Sequence, residues 1–233
     1  MPENHFGEDV AARYDEETAD MPVDPVVDFL VQHAQGGPAL ELAIGTGRIA
    51  LPLSARGIRV QGIDLSEAMV DKLREKPGAE EIDITIGDYA TTKLGRTFRL
   101  VYLVFNGIMN QTTQDAQVAC FENVAAHLEP GGRFVIEVGL PDLKGEKLRI
   151  FDFGDRHIGI DEYDVAHQGL ISHHYTKREG RFEYGSGPFR YVWPSELDLM
   201  ARIAGMKLRE RWSGWNGEPF TRESTKHISV WQK

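Results

Sequence analysis

The stretch ALELAIGTGRIALPLSARGIRVQGIDLSEAM, residues 39–69, decides the fold. Residues 39–44 form a short apolar run of strand length, and the glycines of Gly45-Thr46-Gly47 force a tight turn after it. Residues 48–56 suit a helix with one buried face, and residues 59–63 form a second apolar run that Asp64 ends. The stretch therefore predicts one β-α-β unit, whose parallel strands need a crossover helix.

The same unit predicts a binding site for a ligand that contains a nucleoside. Gly45 and Gly47 lack the Cβ atoms that would keep a ligand away from the backbone. The helix after them directs its free N–H groups and positive dipole end at the same point. Asp64 ends the neighbouring strand, at the edge where doubly wound sheets bind ligands, and its carboxylate can accept both hydroxyls of a ribose.

Two kinds of cofactor fit this unit. Gly45-x-Gly47-x-x-Ala50 satisfies the dinucleotide fingerprint, and Asp64 follows at about the expected ~20 residues, so a nicotinamide cofactor is one alternative. Glu41, inside the first strand, favours the other kind, because a cationic amino-acid group would gain from it and a pyrophosphate would not. The sequence Ile86-Gly87-Asp88-Tyr89 ends a third strand with an acid and an aromatic ring, which suit the amino group and face of an adenine.

With these motifs, residues 40–139 resemble the class I S-adenosylmethionine-dependent methyltransferases of the small-molecule type. The resemblance implies S-adenosylmethionine as cofactor and S-adenosylhomocysteine as product. It assigns the methionine part to the first strand and glycine turn, the ribose to the acid after the second strand, and the adenine to residues after the second and third strands. It also places one residue, after the fourth strand, beside the sulfonium. The residues for the methionine part are Glu41, Ala43, Gly45 and Gly47, and the residue for the ribose is Asp64. The residues for the adenine are Leu65, Met69, Asp88 and Tyr89, and the residue beside the sulfonium is Asn106.

The rest of the chain extends the β-α-β unit into one domain. Helical patterns cover residues 5–15, 22–35, 66–76 and 114–128, and strand patterns cover 82–86, 99–105 and 133–138. Strands that alternate with helices predict a Rossmann-like, doubly wound α/β sheet. After a helix at 194–204 come strands at 206–212 and 227–232, and the resemblance implies that they complete a seven-stranded sheet whose last strand is antiparallel.

Residues 140–190, here called the cap segment, interrupt the α/β alternation. They contain no long helical pattern, and strands are predicted at 158–165, 170–176 and 181–184, the last two joined as a hairpin at Glu179-Gly180. The resemblance implies a small antiparallel β cap that covers the site and shapes the substrate pocket. We therefore expect three parts, residues 1–139, 140–190 and 191–233, in a single domain with an insertion. The exposed strands of the cap segment would serve a homodimer interface equally well.

Composition excludes several classes of partner. The formal net charge is -10, which disfavours nucleic acid and anionic membrane surfaces as partners. Cys120 is the only cysteine, the first ten residues lack the pattern of a secretory signal, and the apolar run at 100–105 is too short to span a bilayer. We therefore expect a cytoplasmic protein with a small-molecule acceptor.

Candidate catalytic residues are few. Methyl transfer from a sulfonium depends mostly on positioning, so a base is needed only where the acceptor must lose a proton. Tyr14, His173 and His174 are the candidates, although adjacent histidines in a strand lie on opposite faces. The histidines lack the paired spacing of a metal site, so no metal is expected.

The acceptor is expected to offer N or O. Asn106 is followed by Gly-Ile-Met, which differs from the two prolines and aromatic residue that mark enzymes acting on nucleic-acid bases. The sequence therefore predicts a methyltransferase acting on N or O of a small molecule. A nicotinamide-dependent oxidoreductase and a non-catalytic cofactor-binding protein are the alternatives.

Overall fold

The computed structural model describes residues 5–143 and 147–233 and contains two β-sheets. The main sheet consists of β1 (Ala39–Leu42), β2 (Val60–Asp64), β3 (Asp83–Ile86), β4 (Phe98–Leu103), β5 (Leu128–Gly139), β10 (Lys207–Trp212) and β11 (Lys226–Gln232). Their spatial order is β10-β11-β5-β4-β1-β2-β3. β1 to β5 are parallel, and β11 runs antiparallel to both of its neighbours. The predicted seven-stranded sheet with an antiparallel last strand is confirmed.

Seven α-helices accompany the strands within the described residues. They are α1 (Glu8–Ala11), α2 (Tyr14–Glu17), α3 (Asp24–Ala34), α4 (Ala50–Ala55), α5 (Glu67–Arg74), α6 (Gln114–His127) and α7 (Pro194–Ile203). Two buried apolar clusters cover the two faces of the main sheet: α6 and α7 contribute to one, and α3 and α4 to the other. None of the helices in the described ranges is long and apolar enough to cross a membrane.

Three predicted elements differ from the structure. The single helix expected at 5–15 is two short helices, α1 and α2. The helix after the glycine turn begins only at Ala50, because the chain is still turning at residues 45–48. β5 begins at Leu128 and not at 133, since an irregularity in its pairing with β4 accommodates the Pro-Gly-Gly sequence.

The second sheet is built entirely from the cap segment. Its antiparallel strands are β6 (Leu148–Phe153), β7 (His157–Asp164), β8 (Gly169–Arg178) and β9 (Arg181–Arg190), in sequential order. The hairpin at Glu179-Gly180 is confirmed, with both residues at positive φ. β6 was not predicted, because five of its six side chains are exposed and the burial that produces an alternating pattern is absent.

Candidate active site

A cavity of about 2110 Å³ lies at the carboxyl ends of β1 to β5. The short N-terminal helices and the second sheet complete its walls. A pocket for one small ligand usually measures about 300–1,000 Å³, so this cavity has room for a cofactor and a second molecule. Nine of the ten predicted cofactor residues line it, and Gly47 does not. Ala43, one of the nine, has a left-handed backbone.

The turn after β1 is tied to the end of β2 by Asp64. The Gly45 N–H donates to Asp64 Oδ2 at 2.7 Å, and the Ser66 N–H donates to Oδ1 at 2.8 Å. Ala43 and Gly45 have φ of 53° and 56°, a left-handed conformation that brings the backbone close to the cavity. Burial raises the pKa of Asp64, while its bonds from backbone N–H groups favour the charged carboxylate.

Gly47 has a packing role in this turn. It is absent from the cavity wall, and a Cβ atom added to it would lie 2.8 Å from Leu73 Cγ. Its φ of 79° adds a second reason for glycine. The glycine therefore allows α5 to pack closely against the turn, and the structure does not place it at the ligand site.

Glu41 is a buried carboxyl group at the bottom of the cavity, 3 % exposed. The Tyr102 hydroxyl donates to its Oε2 at 2.9 Å. Burial raises the pKa of Glu41 to about 8, with the Tyr102 bond and the nearby Arg48 opposing the shift. A cationic ligand group beside this carboxyl would favour its ionised form.

Arg48 is a site residue that the sequence analysis missed. Its side chain lines the cavity with its guanidinium carbon 5.7 Å from the centre of the Phe105 ring. Its Nη1 atom is buried and makes no hydrogen bond to the described residues. A buried, unpaired donor is costly, and a ligand carboxylate would satisfy it. Glu41 and Arg48 together fit the ammonium and carboxylate of an amino acid, and the position of Arg48 directly after the glycine turn was the signal available in the sequence.

Asp88 and Tyr89 lie after β3, at the other end of the cofactor residues. Asp88 Oδ1 accepts hydrogen bonds from the Ala90 N–H at 2.9 Å and from Gln111 Nε2 at 3.0 Å. The Tyr89 hydroxyl donates to the Gly107 carbonyl at 2.7 Å, which fixes the ring in the cavity wall. Leu65 and Met69 line the same cavity and add apolar surface for a base.

Asn106 ends the turn after β4 in a left-handed conformation with φ of 60°. Its Oδ1 accepts a hydrogen bond from the Gly139 N–H at 2.6 Å. The side chain therefore joins the ends of β4 and β5, and it also lines the cavity.

The N-terminal helices are fastened over the cavity by polar contacts. Asp15 accepts from the Thr46 hydroxyl at 2.6 Å and pairs with Lys76 Nζ at 2.6 Å. These contacts hold α2 in place, so that Tyr14 lines the cavity. Burial raises the pKa of Tyr14, with Arg48 opposing the shift, and its phenol is therefore neutral near pH 7.

The two adjacent histidines of β8 lie on opposite faces of the second sheet. His174 lines the cavity, while His173 is bonded on the outer face to the Tyr184 hydroxyl at 2.8 Å. The structure thus brings Tyr14 and His174 to the cavity and leaves His173 outside it. Asp161 and Ser172 also line the cavity and were missed, since their position depends on the pairing of strands. Within residues 5–143 and 147–233, no group of histidine, cysteine and acidic side chains is arranged to hold a metal ion.

Known proteins share both the sequence motif and the whole architecture. Residues 39–132 match the family model of a methyltransferase domain. The CcbJ methyltransferase of Streptomyces caelestis is 33 % identical and superposes with a TM-score of 0.88, over 98 % of this chain and 97 % of that one. The chain belongs to the class I S-adenosylmethionine-dependent methyltransferases. Its cofactor is S-adenosylmethionine, so the nicotinamide alternative is wrong.

Other class I methyltransferases match with less sequence identity. A cypemycin N-terminal methyltransferase from a Streptomyces species is 25 % identical over 205 residues, which cover 85 % of this chain and 84 % of the relative. An amino pentose methyltransferase of Micromonospora echinaspora, solved with S-adenosylmethionine bound, is 21 % identical with a TM-score of 0.68. It covers 100 % of this chain and 99 % of its own, and at this identity it supports the fold alone. The chain is therefore a methyltransferase of the small-molecule type, with N-methyltransferases among its relatives.

Proposed function

We propose that this methyltransferase acts on the nitrogen of a small molecule that carries a basic amine. The observation that carries the proposal is the charge of the cavity wall. Acidic side chains outnumber basic ones among the described lining residues, and α2 and the second sheet supply Glu16, Glu17, Asp152, Asp161 and Glu183. A wall of this charge attracts a protonated amine and offers little to a neutral hydroxyl group.

The proposed role of each cofactor residue follows from its contacts in the cavity. Bound S-adenosylmethionine supplies a methyl group on a positively charged sulfur, which is a good leaving group. Glu41 and Arg48 would hold its amino-acid part, and Asp64 would accept from the ribose hydroxyls. The adenine and backbone contacts would come from Ala43, Gly45, Leu65, Met69, Asp88, Tyr89 and Asn106, all of which line the cavity.

The remaining residues would position the acceptor and exclude water. Tyr14 lies near Arg48 and Glu41, and its neutral phenol can accept from or donate to an amine. His174 lines the cavity from the second sheet. In-line displacement requires the acceptor nitrogen to lie on the far side of the methyl group from the sulfur, so these two walls would set its direction.

The names of two relatives support an amine acceptor. One is named for methylation of a peptide N terminus and the other for an amino pentose. Both acceptors present an aliphatic amine, although their frameworks differ. An aliphatic amine is the feature that we carry over to this protein.

A paired acceptor panel tests this function. The protein is incubated with methyl-labelled S-adenosylmethionine and with amino sugar nucleotides, short peptides with free N termini, and their hydroxyl counterparts. We expect labelled product from at least one amine, and none from the matching hydroxyl compound. Transfer to hydroxyl compounds with no transfer to amines would contradict the nitrogen proposal, and a protein with Glu41→Gln serves as the control for cofactor-dependent label.

We also propose that the cap segment selects the acceptor while contributing little to cofactor affinity. Its strands β7 and β8 supply the cavity wall that faces the cofactor residues. Shortening the hairpin across residues 177–181 tests this. We expect turnover or acceptor KM to change while S-adenosylhomocysteine binds as before, and a loss of cofactor binding would contradict the proposal.

The outer face of the second sheet leads us to propose a homodimer. Its apolar side chains are between 37 % and 79 % exposed: Leu148, Ile150, Phe153, Ile171, Tyr175, Phe182 and Tyr184. With full side-chain areas of roughly 150–250 Å², they present about 700 Å², close to the ~800 Å² that each partner buries in a standard interface. Two copies of this face would cover each other.

Sedimentation of wild-type protein and Phe153→Asp tests the homodimer. We expect a dimer for the wild type and a monomer with unchanged S-adenosylhomocysteine affinity for the variant. Ile203→Asp is a control, since that side chain is also apolar and exposed, at 62 % against 79 % for Phe153, but lies on α7. A monomeric wild type would contradict the proposal.

We also propose that the protein is cytoplasmic, because its single cysteine is buried and free, which is in keeping with a reducing compartment.

A further inference from the structure

Five polar side chains form a continuous hydrogen-bonded chain on the inner face of the second sheet. Asp161 Oδ1 accepts from the Ser172 hydroxyl at 2.8 Å, and Ser172 Oγ lies 3.2 Å from His174 Nε2. His174 Nδ1 lies 2.9 Å from His157 Nε2, and His157 Nδ1 lies 2.6 Å from Asp152 Oδ2. Each inner member has one partner on either side, as a path for protons requires.

All five residues line the cavity, and the chain runs from a half-buried part of its wall to a part that is open to solvent. Asp161 is half-buried in the cavity wall, while the Asp152 side chain is 49 % exposed. Strand pairing places Gly187 opposite Ser172 and Gly185 opposite His174. The space beside Gly185 is open, since a Cβ atom there would meet nothing within 4 Å, whereas a Cβ atom at Gly187 would lie 3.4 Å from the Phe189 ring.

The surroundings of Asp161 and His174 bring the pKa values of these two groups closer together. Burial raises the pKa of Asp161, opposed by its Ser172 bond and by His174. Burial also lowers the pKa of His174, and the neighbouring His157 lowers it further. A carboxyl with a raised pKa and an imidazole with a lowered one exchange a proton at a small free-energy cost.

We propose that Asp161, Ser172, His174, His157 and Asp152 form a proton relay that takes a proton from the acceptor amine and delivers it to solvent. This inference rests on the proposed function, because a protonated amine must lose a proton before its lone pair can attack the methyl group. Asp161 is the catalytic member, which faces the acceptor. Ser172, His174 and His157 are positioning residues that act through it.

The proton balance closes along the chain. The ammonium gives its proton to the Asp161 carboxylate, and the freed lone pair forms the N–C bond as the C–S bond breaks and its electrons stay on sulfur. Once Asp161 is protonated, the Ser172 hydroxyl turns from Asp161 Oδ1 to His174 Nε2. The Asp161 proton then passes to Ser172 Oγ while the Ser172 proton moves to His174 Nε2. The proton on His174 Nδ1 moves to His157 Nε2, and the imidazolium so formed releases its Nδ1 proton to solvent beside Asp152. Asp161 ends ionised, and both imidazoles end neutral with the hydrogen on Nε2. Exchange of the ring hydrogens with solvent returns each imidazole to its Nδ1–H tautomer before the next turnover.

Other charged or polar groups lie around the relay and affect its pH dependence. They are Glu17 of α2, which raises the pKa of His174, Tyr163, whose hydroxyl lies 3.5 Å from Asp161 Oδ2, and His173 on the outer face, which lowers the pKa of His174. These groups influence the relay through space. Ser172 carries no charge, so replacing it breaks the connection and leaves those electrostatic influences in place.

A test that needs no acceptor uses NMR of the ring nitrogens to determine which nitrogen of His174 and of His157 carries the hydrogen, in the full chain with S-adenosylhomocysteine bound. Replacing Asp161 with Asn turns the first acceptor of the chain into a group that can also donate, and it should change the tautomer populations of both rings at a fixed pH. In a Ser172→Ala background the same replacement should leave the tautomer populations nearly unchanged, and in a Ser172→Thr background, which keeps the hydroxyl, the effect should return. Equal shifts in the Ser172→Ala and Ser172→Thr backgrounds would overturn the relay, because through-space electrostatics alone would then explain them.

A second test uses an amine acceptor from the panel described above. Ser172→Ala should lower kcat near pH 6.5 by roughly tenfold or more, with acceptor KM and S-adenosylhomocysteine affinity unchanged, and the loss should shrink as pH rises and the amine deprotonates in solution. His167→Gln, an exposed histidine between β7 and β8 that does not line the cavity, should keep the wild-type pH profile. A uniform loss at every pH would overturn the relay. If the wild type methylates no amine, the proposed function fails, while the NMR coupling still decides whether the relay exists.

Discussion

Glu41 should lose a proton when S-adenosylhomocysteine binds, and this linkage can be measured. Without ligand, burial holds the pKa of Glu41 at about 8, so the carboxyl is mostly neutral at pH 7. The ammonium of the ligand's amino-acid part would stabilise the carboxylate and lower that pKa on binding. Binding must therefore release the proton that the empty site holds.

The magnitude follows from the pKa. A carboxyl with a pKa of about 8 is ~99 % protonated at pH 6, ~90 % at pH 7 and half protonated at pH 8. If only the carboxylate binds the ligand tightly, affinity should rise about 50-fold from pH 6 to pH 8, and about 0.9 proton should leave at pH 7. Glu41→Gln should remove both effects, because an amide does not titrate.

Isothermal titration calorimetry in two buffers of different ionisation enthalpy measures the proton count and the affinity together. Wild type, Glu41→Gln and Glu122→Gln are compared at several pH values, the last as a control on an exposed helical carboxylate. A wild-type affinity that stays flat from pH 6 to pH 8 would refute the reasoning. The same proton release in Glu41→Gln would show that another group is responsible.

The stability of the ligand-free protein should change with pH for the same reason. The folded state keeps a proton on Glu41 that the unfolded chain, with an ordinary pKa of 4.5, has released. The contribution of Glu41 to the free energy of unfolding is therefore fully present below about pH 4.5 and is lost as pH rises through about 8. Glu41→Gln should weaken this decline in thermal melts.

Three further substitutions test other contacts. Asp64→Asn should weaken S-adenosylhomocysteine binding by about 1.5–3 kcal/mol in calorimetry, because the ribose hydroxyls lose a charged acceptor; unchanged affinity would remove Asp64 from the site. Arg48→Met should weaken S-adenosylhomocysteine but not methylthioadenosine, which lacks the amino-acid part, and equal losses for both ligands would contradict the assignment. Arg190→Met should lower unfolding free energy in denaturant by about 3–5 kcal/mol, since it removes a buried guanidinium and leaves its half-buried partner Glu196 with neutral amide donors only. Arg222→Met, on an exposed ion pair, should change it by less than ~1 kcal/mol.

The main sheet and the cavity position of most of the expected cofactor residues could be predicted because their signals are local. The apolar run before Gly45 and the acid at Asp64 mark two neighbouring strand ends, and parallel strands bring their carboxyl ends to one rim. Gly47 has the same sequence signal as Gly45, yet it serves packing against Leu73. Only tertiary contacts separate these two roles of glycine.

The second sheet and its polar chain could not be predicted to the same extent. β6 lacks a buried face, and its side chains give no alternating pattern. Asp161 and Ser172 are far apart in sequence and become neighbours through the pairing of β7 with β8. A shift of that pairing by one residue would move every side chain to the opposite face, so no local pattern could identify the pair.

The alternation of β8 separates two selective pressures on one strand. Its even-numbered residues from Leu170 to Thr176 face the cavity, and its odd-numbered residues from Ile171 to Tyr175 face outward. A point mutation at an even position changes the chemistry that an acceptor meets, while one at an odd position changes the exterior. Substrate range and surface composition can therefore diverge independently during evolution within seven consecutive residues.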